Sequence, residues 1–472
     1  MLSEIVNYKE IALSKKRSIK PNLFLETGKR TFRQLKKKKS IKGTLGDIIS
    51  NTYRPGIFKR YFISNIEHGM YYITAQTMNT QDAVSFAKIL SSKMTQNIEP
   101  MVLRHQEILV SCAGTVGNVR FIDKTIAGNI GSQDIIRVVP NDENYGFVYA
   151  YLATPTIYSY LQSQIYGSVV SRIEPHVIIN IPLVDFPDSL KNEVESLIRE
   201  ANELKEKAIL QLANGRKLLK AYCNLDDLSE EEYDVFGPTE PNRKVSTFVV
   251  NKKDINSVTI NAFNHSKRIK DLKEKISSVV NTKKLIDCLD PNGFFSTGSF
   301  PRDEVNFPYG IQLINQQDIF DSIIKGKCIS KRGVKLDKLV EEGEIIIAGV
   351  GTLGETETFC RCIYANGSLK GKLVSGEFIR MKAQAVPSGY LYLWLSTDYG
   401  FRLIRNTQAG TKLCRPIQKL LSEIPVPILN SEKIEELNAL AVTAQEWLYQ
   451  STQKELKAIN ILEKYISDVI IK

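Results

Sequence analysis

Glu107-Ile108-Leu109-Val110, leading into Gly114-Thr115-Val116-Gly117, returns 237 positions later as Glu344-Ile345-Ile346-Ile347, leading into Gly351-Thr352-Leu353-Gly354. A short β-branched run closed by a glycine-bracketed turn reads as a strand entering a loop. One recurrence of that kind is weak, so its neighbours decide the matter, and they recur in order. Thr44-Leu45 and Lys284-Leu285 lie 240 apart, as do Ile73-Thr74-Ala75-Gln76 and Leu313-Ile314-Asn315-Gln316. Ile135-Ile136-Arg137-Val138 matches Phe378-Ile379-Arg380-Met381 at 243. Gly167, Arg172 and Pro175 match Gly410, Arg415 and Pro416, and Ile181-Pro182 matches Ile424-Pro425. A period of about 240 residues is far longer than any solenoid repeat and means a duplicated domain.

Each copy has the same texture. Strand-like runs come first: ILVSCAG, VRFID and DIIRVVP in one half, EIIIAGV, TETFCRCIYA and EFIRMKA in the other. A helical patch follows, YGFVYAYLATPTIYSYLQS or SGYLYLWLSTDYGFRLIRN, and then a proline-marked strand, IINIPLVDFP or LSEIPVPIL. PNLFLETGKRTFRQLK and NAFNHSKRIKDLKEKI stand as matching helical lead-ins.

Each copy runs on into a proline-free stretch with apolar residues at alternating three and four spacings, an a/d seam. The first seam reads Leu190, Val194, Leu197, Ala201, Leu204, Ala208, Leu218 and Tyr222. The second reads Ile434, Leu437, Ala441, Ala444 and Leu448, then resumes after a phase shift at Leu456, Ile459, Leu462, Ile466 and Val469. At about 1.5 Å per residue, roughly 33 residues reach about 50 Å. Such a stripe must be buried, either by the two helices packing antiparallel on each other or by each folding onto its own domain. The fold class expected is α+β, with two homologous mixed domains, each followed by a long helix, and the helices paired as an antiparallel coiled coil. The expected segments are 1–188 with a basic N-terminal arm, a helix over 189–222, a connector over 223–250, a second domain over 251–430 and a helix over 431–472.

Composition narrows the function. The 472 residues carry a net charge of +11, which suits a polyanionic partner. The stretch Lys15–Lys42 holds twelve Lys or Arg and a single acid, Glu26, as a solvated arm or a phosphate-contacting one. No apolar run of about 18 residues suggests a membrane span, and the N-terminus lacks the apolar core of a secretory signal. The seven cysteines are scattered, with only Cys360 and Cys362 close together, a poor zinc or redox spacing, and reduced thiols in a cytoplasm are expected.

The tandem units, each with a Gly-Thr-Val/Leu-Gly turn after an apolar strand, each closing on an Ile-Pro strand and a long helix, resemble the specificity subunit of Type I restriction–modification enzymes. The resemblance runs from about residue 9 to the end. It implies that each unit reads one half of a bipartite double-stranded DNA site and that the helices fix the gap. Two methyltransferase subunits would clamp the helices, and restriction subunits could join. Adenine methylation from S-adenosylmethionine would belong to those partners, leaving this chain without a catalytic site or cofactor.

Candidate DNA contacts sit in loops near the repeated turns. In the first unit they are Asn65, His68, Gln76, Asn79, Arg104, His105, Lys124, Asn129, Ser132, Gln133, Ser168 and Arg172. In the second they are Arg302, Asn315, Gln316, Gln317, Lys327, Lys331, Arg332, Lys335, Lys370, Lys372, Thr411, Lys412 and Arg415. Arg and Lys can fork onto guanine, and Asn or Gln onto adenine, while others would hold phosphates or simply face solvent. Arg172 and Arg415 recur at matched positions, which a shared structural turn also explains. The Gly-Thr-x-Gly segments lack the Lys-Ser/Thr of a phosphate-binding loop and read as tight strand-to-strand turns. No Asn-Pro-Pro-Tyr-like or FxGxG-type motif marks a methyltransferase, and the four histidines are dispersed. A stand-alone DNA-modifying or DNA-cleaving enzyme with unrecognised motifs, and a non-enzymatic scaffold for RNA or protein, remain the alternative readings.

Overall fold

A computed structural model describes residues 27–141, 144–167, 171–229, 232 and 249–471. The start of the basic arm, Ser168 and most of the connector lie outside the described residues. The chain divides into two compact units. One takes the chain up to Glu206 together with the stretch from Gln450 onward, and the other is Lys207–Tyr449.

In the first unit, helix α1 (Thr27–Lys37) precedes β1 (Ile41–Thr44), β2 (Ile49–Tyr53), β3 (Phe62–Ile63), β4 (Gly69–Ile73) and β5 (Lys88–Ser91). There follow β6 (Ile108–Ser111), β7 (Val119–Phe121), β8 (Ile130–Gly131) and β9 (Ile135–Pro140). Helices α2 (Tyr145–Leu152), α3 (Pro155–Ser163) and α4 (Pro175–Ile179) lead to β10 (Pro182–Val184) and the long α5 (Asp188–Tyr222). One sheet has the order β2-β9-β6-β7 and the other β3-β5-β4-β8, with β4 and β8 parallel. Every residue of β6 is buried, as its continuous apolar run requires.

The second unit opens with α6 (Lys267–Val279), β11 (Thr282–Lys284), β12 (Gly310–Ile314), β13 (Lys327–Ser330), β14 (Ile345–Ala348), β15 (Cys362–Tyr364), β16 (Leu373–Val374) and β17 (Phe378–Met381). Then come α7 (Ser388–Leu395), α8 (Asp398–Asn406), β18 (Gln408–Ala409), β19 (Arg415–Pro416), α9 (Gln418–Leu421), β20 (Pro425–Pro427) and α10 (Ser431–Ile471). The pairings repeat those of the first unit. Strand β14 lies between β15 and β17 as β6 lies between β7 and β9. Strand β12 is antiparallel to β13 and parallel to β16, as β4 is to β5 and β8. Strands β11 and β20 pair as β1 and β10 do. The bridge Phe295↔Arg380 stands where Tyr53 pairs with Arg137. The two halves share the register of their central strands, with Ile73 at the place of Ile314, one residue beyond the 240 spacing read from sequence. They differ at the edges: the four-stranded sheets of the first unit have three-stranded counterparts, with isolated bridges where β2 and β3 would lie, and the register shift of β1 against β10 is absent from β11 against β20.

The long helices are buried in both of the ways the stripe allowed. The helix that follows a domain starts on that domain. Gly146 of α2 and Gly389 of α7, which match at the 243 offset, bring the backbone so close that an added Cβ would lie 2.9 Å from Glu195 Oε2 and 2.7 Å from Asn438 Oδ1. Those side chains accept from Phe147 N at 2.8 Å and Gly389 N at 3.0 Å. The other helix completes each unit. In the first, Thr156 Oγ1 donates to Glu463 Oε1 at 2.8 Å and Tyr149 OH donates to Glu455. In the second, Gly215 lets α5 meet Leu393 of α7, where a Cβ would sit 3.2 Å from Leu393 Cδ1. Within each unit the two helix segments are antiparallel: Ser451 Oγ donates to Ala201 O at 2.7 Å and Lys457 meets Glu193, while Gln211 Nε2 donates to Leu440 O at 2.8 Å and Tyr222 OH to Glu436 at 2.8 Å.

Two details of the expected seam are corrected. Leu204, Leu218 and Tyr222 are only half-buried, and the buried row runs through Lys205, Ala208, Leu212, Gly215 and Leu219 instead. The expected phase shift in the second helix is absent, because Ser451, Glu455 and Ala458 continue the row from Leu448 to Leu462 without a break. Polar residues held these heptad positions and hid them from an apolar pattern. Lys205 is compensated by Asp123 and Glu455, yet burial, aided by nearby Arg120, pushes it down to about 7.

Charging the true seam should cost far more than charging its neighbour. Leu197→Glu is expected to lower stability by about 3 kcal/mol or more, and Leu204→Glu by about 1 kcal/mol or less, in urea denaturation. An unfolded lysine keeps its proton to about pH 10, so folding sheds a proton between about pH 7 and pH 10, and stability climbs with pH across that window. Lys205→Met should therefore raise Tm at neutral pH by at least about 3 °C, with the gain fading toward pH 10. A gap that stays constant with pH would contradict the assignment.

Candidate nucleic-acid interface

The repeated turns join antiparallel strands, as expected, but through longer connections: residues 112–118 between β6 and β7, and 349–361 between β14 and β15. The first is closed by its own side chain. Ser111 Oγ donates to Thr115 O at 2.5 Å and accepts from Asn118 N at 2.9 Å, while Gly114 and Gly117 take φ values of 71° and 93° that a side chain would resist.

A second loop leans on each turn. Tyr166 and Arg172 pair, with Gly167 after Tyr166 at φ 95°, and at the matched place Ala409 and Arg415 pair across a bend with Gly410 at φ 105°. Gly114 N donates to Ser171 O at 3.1 Å and Ile173 N to Cys112 O at 3.1 Å. In the second unit Gly351 N donates to Cys414 O at 3.2 Å and Cys414 N to Gly351 O at 2.7 Å. Turn and paired segment thus form one platform in each unit, and Arg172 and Arg415 occupy the same position on it. Arg415 is exposed and Arg172 half-buried, and neither makes an ion pair among the described residues.

The platforms are braced from the helix below at one matched position, by different chemistry. In the first unit Gln162 Nε2 of α3 donates to Val116 O at 2.7 Å. In the second, Arg402 and Arg405 of α8, both buried, reach Glu355, the residue after the turn, at 3.0 and 2.7 Å. Gln162 and Arg405 stand 243 apart. A similar substitution lies deeper. Arg380 forks onto Glu344 with two bonds of 2.8 Å, both residues fully enclosed. Their counterparts Arg137 and Glu107 separate: Arg137 donates to the carbonyls of Ser132, Ile135 and Gly131 at 2.7–2.8 Å, and Glu107 accepts from Tyr53 at 3.2 Å. Burial lowers Arg137 to about 10 and raises Glu107. The doubled occurrence of Arg137 and Arg380 inside apolar strands was the available signal that they are structural.

Several candidates turn out to be committed elsewhere. Ser132 is buried and caps Asp134 N at 3.1 Å. Asn129 accepts from Tyr71 N and donates to Ile126 O, both at 3.2 Å. Gln316 holds the second turn through both ends of its amide, donating to Val350 O and accepting from Val350 N. Lys372 is half-buried, and burial lowers its pKa. Gln133 Oε1 is enclosed without a hydrogen-bond partner. Asn65 caps Glu67 N at 2.9 Å, Asn79 donates weakly to Ala75 O at 3.5 Å, and Asn315 to Asp318 at 3.4 Å. Arg104 is paired with Glu99 at 3.1 Å, His105 and Lys124 both face Glu206 at 3.7 Å, Lys370 meets Glu342 at 3.2 Å, and Lys327 meets Glu304. Arg302 lies 5.5 Å from the Phe300 ring centre. Exposed and without an ion pair among the described residues are Lys331, Arg332, Lys335 and Lys412, together with exposed His68, Gln76, Gln317 and Thr411.

All seven cysteines are free, and burial raises the thiols of both Cys360 and Cys362, the latter to about 12. Among the described residues no group of His, Cys, Asp or Glu is placed to hold a metal ion, and no helix is long and apolar enough to cross a membrane.

No family model matches the chain, and no curated protein matches it. Solved structures that resemble it include the Type-I restriction-modification system S subunit from M. genitalium, 14% identical, with 91% of this chain and 98% of that chain covered and a TM-score of 0.29. The HsdS subunit from Thermoanaerobacter tengcongensis is 13% identical, with 90% and 95% covered and a TM-score of 0.27. Both overlays are loose.

The unequal braces can be tested against each other. Glu355→Ala leaves two buried guanidinium groups without their carboxylate and should cost about 2 kcal/mol, while Gln162→Ala should cost about 1 kcal/mol. Chemical denaturation of the two variants measures the difference, and equal losses would remove the distinction.

Proposed function

We propose that this chain is a DNA-specificity subunit. Each unit reads one half of a bipartite duplex site, with domain limits near 188, 222, 250 and 430, and the paired long helices act as the spacer that fixes the distance between the halves. Two methyltransferase subunits clamp the helices, with restriction subunits able to join, and those partners perform adenine methylation from S-adenosylmethionine.

The observation that carries this reading is one topology built twice, its central strands in the same register, with a turn and a paired arginine position at the same place in each copy. A reader used twice with unlike surfaces suits a site of two unlike halves, and a helical spacer suits a fixed gap in a way a flexible linker does not. Exposed cations supply phosphate attraction, Lys412 on the second bend and Lys331, Arg332 and Lys335 in the loop that follows β13, within an overall charge of +11. Arg172 and Arg415 are the paired positions best set for base or phosphate contact, with Lys331, Arg332, Lys335 and Lys412 as phosphate contacts.

Two expected outcomes test the reading. The purified chain, given duplex DNA with S-adenosylmethionine or with magnesium, should turn over neither, since the chemistry lies in other subunits; methylation or cleavage by the chain alone would favour a stand-alone enzyme. Insertion of one heptad near Ala208, with a matching heptad near Leu448, should lengthen the preferred gap by about 10 Å, about three base pairs, and leave both half-sites unchanged. An altered half-site with an unaltered gap would count against a spacer.

A further inference from the structure

Each unit presents an exposed apolar knob at the same point of its fold. In the first, β4 begins at Gly69, whose strand partner is Ser91, and the turn before it closes with His68 N donating to Asn65 O at 3.4 Å. In the second, β12 begins at Gly310, whose partner is Ser330, and the turn before it closes with Tyr309 N donating to Asn306 O at 3.0 Å. The turns carry Asn65-Ile66-Glu67-His68 and Asn306-Phe307-Pro308-Tyr309, so an asparagine, a bulky apolar residue and a ring recur in the same order. Ile66 is 41% exposed, Phe307 83% and Tyr309 78%. Side chains of that size left in water call for a partner when they recur at one place.

The surroundings say which partner. Immediately beyond Ser330 come Lys331 and Arg332, exposed and without an ion pair among the described residues, and beyond Ser91 comes exposed Lys93. Backbone geometry ties these cations to the knob: Ser330 N donates to Asp303 O at 2.8 Å, and a Cβ on Gly333 would lie 3.1 Å from Pro301. In the first unit Ser92 N donates to His68 O at 3.1 Å. Aromatic and apolar groups flanked by unpaired cations match a nucleic acid, in which flat hydrophobic base faces and sugar edges lie between rows of phosphate.

We propose that these two turns are paired DNA-contact knobs, in which Ile66 and His68 of the first unit and Phe307 and Tyr309 of the second press against base or sugar faces of duplex DNA while Lys331 and Arg332 hold the adjoining phosphates. The inference rests on the specificity-subunit reading and adds to it a contact made by apolar surface. Where Phe307 enters a base step it unstacks that step, which makes the second half-site sensitive to local deformability as well as to hydrogen-bonding pattern.

The full-length chain and its variants are compared on the duplex that the unaltered chain enriches from a randomised library, at one physiological salt concentration, with a scrambled duplex as control. Phe307→Ala should weaken the enriched duplex about tenfold, relax preference in the second half-site alone, and leave Tm unchanged because the side chain is exposed. Ile66→Ala should do the same, more weakly, in the first half-site. Lys331→Ala should weaken enriched and scrambled duplex alike and reduce the slope of log Kd against log salt by about 1. With 2-aminopurine in the second half-site, fluorescence should rise on binding the unaltered chain and not on binding Phe307→Ala. If the unaltered chain enriches no duplex, the specificity-subunit reading itself fails. If it enriches one, and Phe307→Ala and Ile66→Ala bind it with unchanged affinity and profile, the knobs face another partner and only the present inference is overturned. Equal weakening of enriched and scrambled duplex by Phe307→Ala also overturns it.

Discussion

A helix of 35 residues and one of 41 residues, each with a buried row along its length, cannot stand alone in water. Each compact unit solves half of that problem, because it takes one end of each helix. The first unit is therefore discontinuous in sequence, finished only by residues from Gln450 onward, whereas the second is the single stretch Lys207–Tyr449. The two ends of the helix pair are held by unlike chemistry. In the first unit the row includes Lys205, Ser451 and Glu455, which are tied to Ala201, Tyr149 and the Asp123 region. In the second it is apolar and merges with the large core around Leu212, Leu219, Leu437 and Leu448. Buried polar groups at heptad positions fix register at some cost in stability, so the first unit is where sliding of one helix along the other is most strongly opposed.

Duplication preserved the skeleton and released the side chains. Glu107 and Arg137 sit where Glu344 and Arg380 form a buried fork, yet they have parted, one to a tyrosine and the other to backbone carbonyls. Gln162 does with one neutral hydrogen bond what Arg402, Arg405 and Glu355 do with a charged group. Buried charges of this kind must be satisfied or they destabilise, and each half found its own way to satisfy them. Because the central strands keep their register, the loops between them have counterparts at the same place in the second unit, which makes their differences interpretable as differences in what is contacted.

Much of the fold was legible because it is written twice. The strand runs around Ile108 and Ile345, the helical patches and the long helices all follow from periodicity and from order. The exact seam was not, since Lys205, Ser451 and Glu455 break an apolar pattern while remaining buried. The candidate interface was legible only in outline. Loop position near a repeated turn located the platforms, and Arg172 and Arg415 fell on them. Yet residue type alone could not tell that Gln316 and Asn129 spend their amides on backbone groups or that Ser132 is enclosed. Phe307 and Tyr309 carry no polar signature of base recognition, and the only mark of their turn in the sequence is Asn306, which stands before β12 as Asn65 stands before β4.

The central claim is that two copies of one reader, held at a set distance, select a divided site. Selection by the full-length chain from duplexes randomised in sequence and length, at physiological salt, tests it most directly. The account predicts two unlike short motifs separated by one fixed number of unspecified base pairs. A single contiguous motif, or two motifs whose separation varies freely, would contradict it.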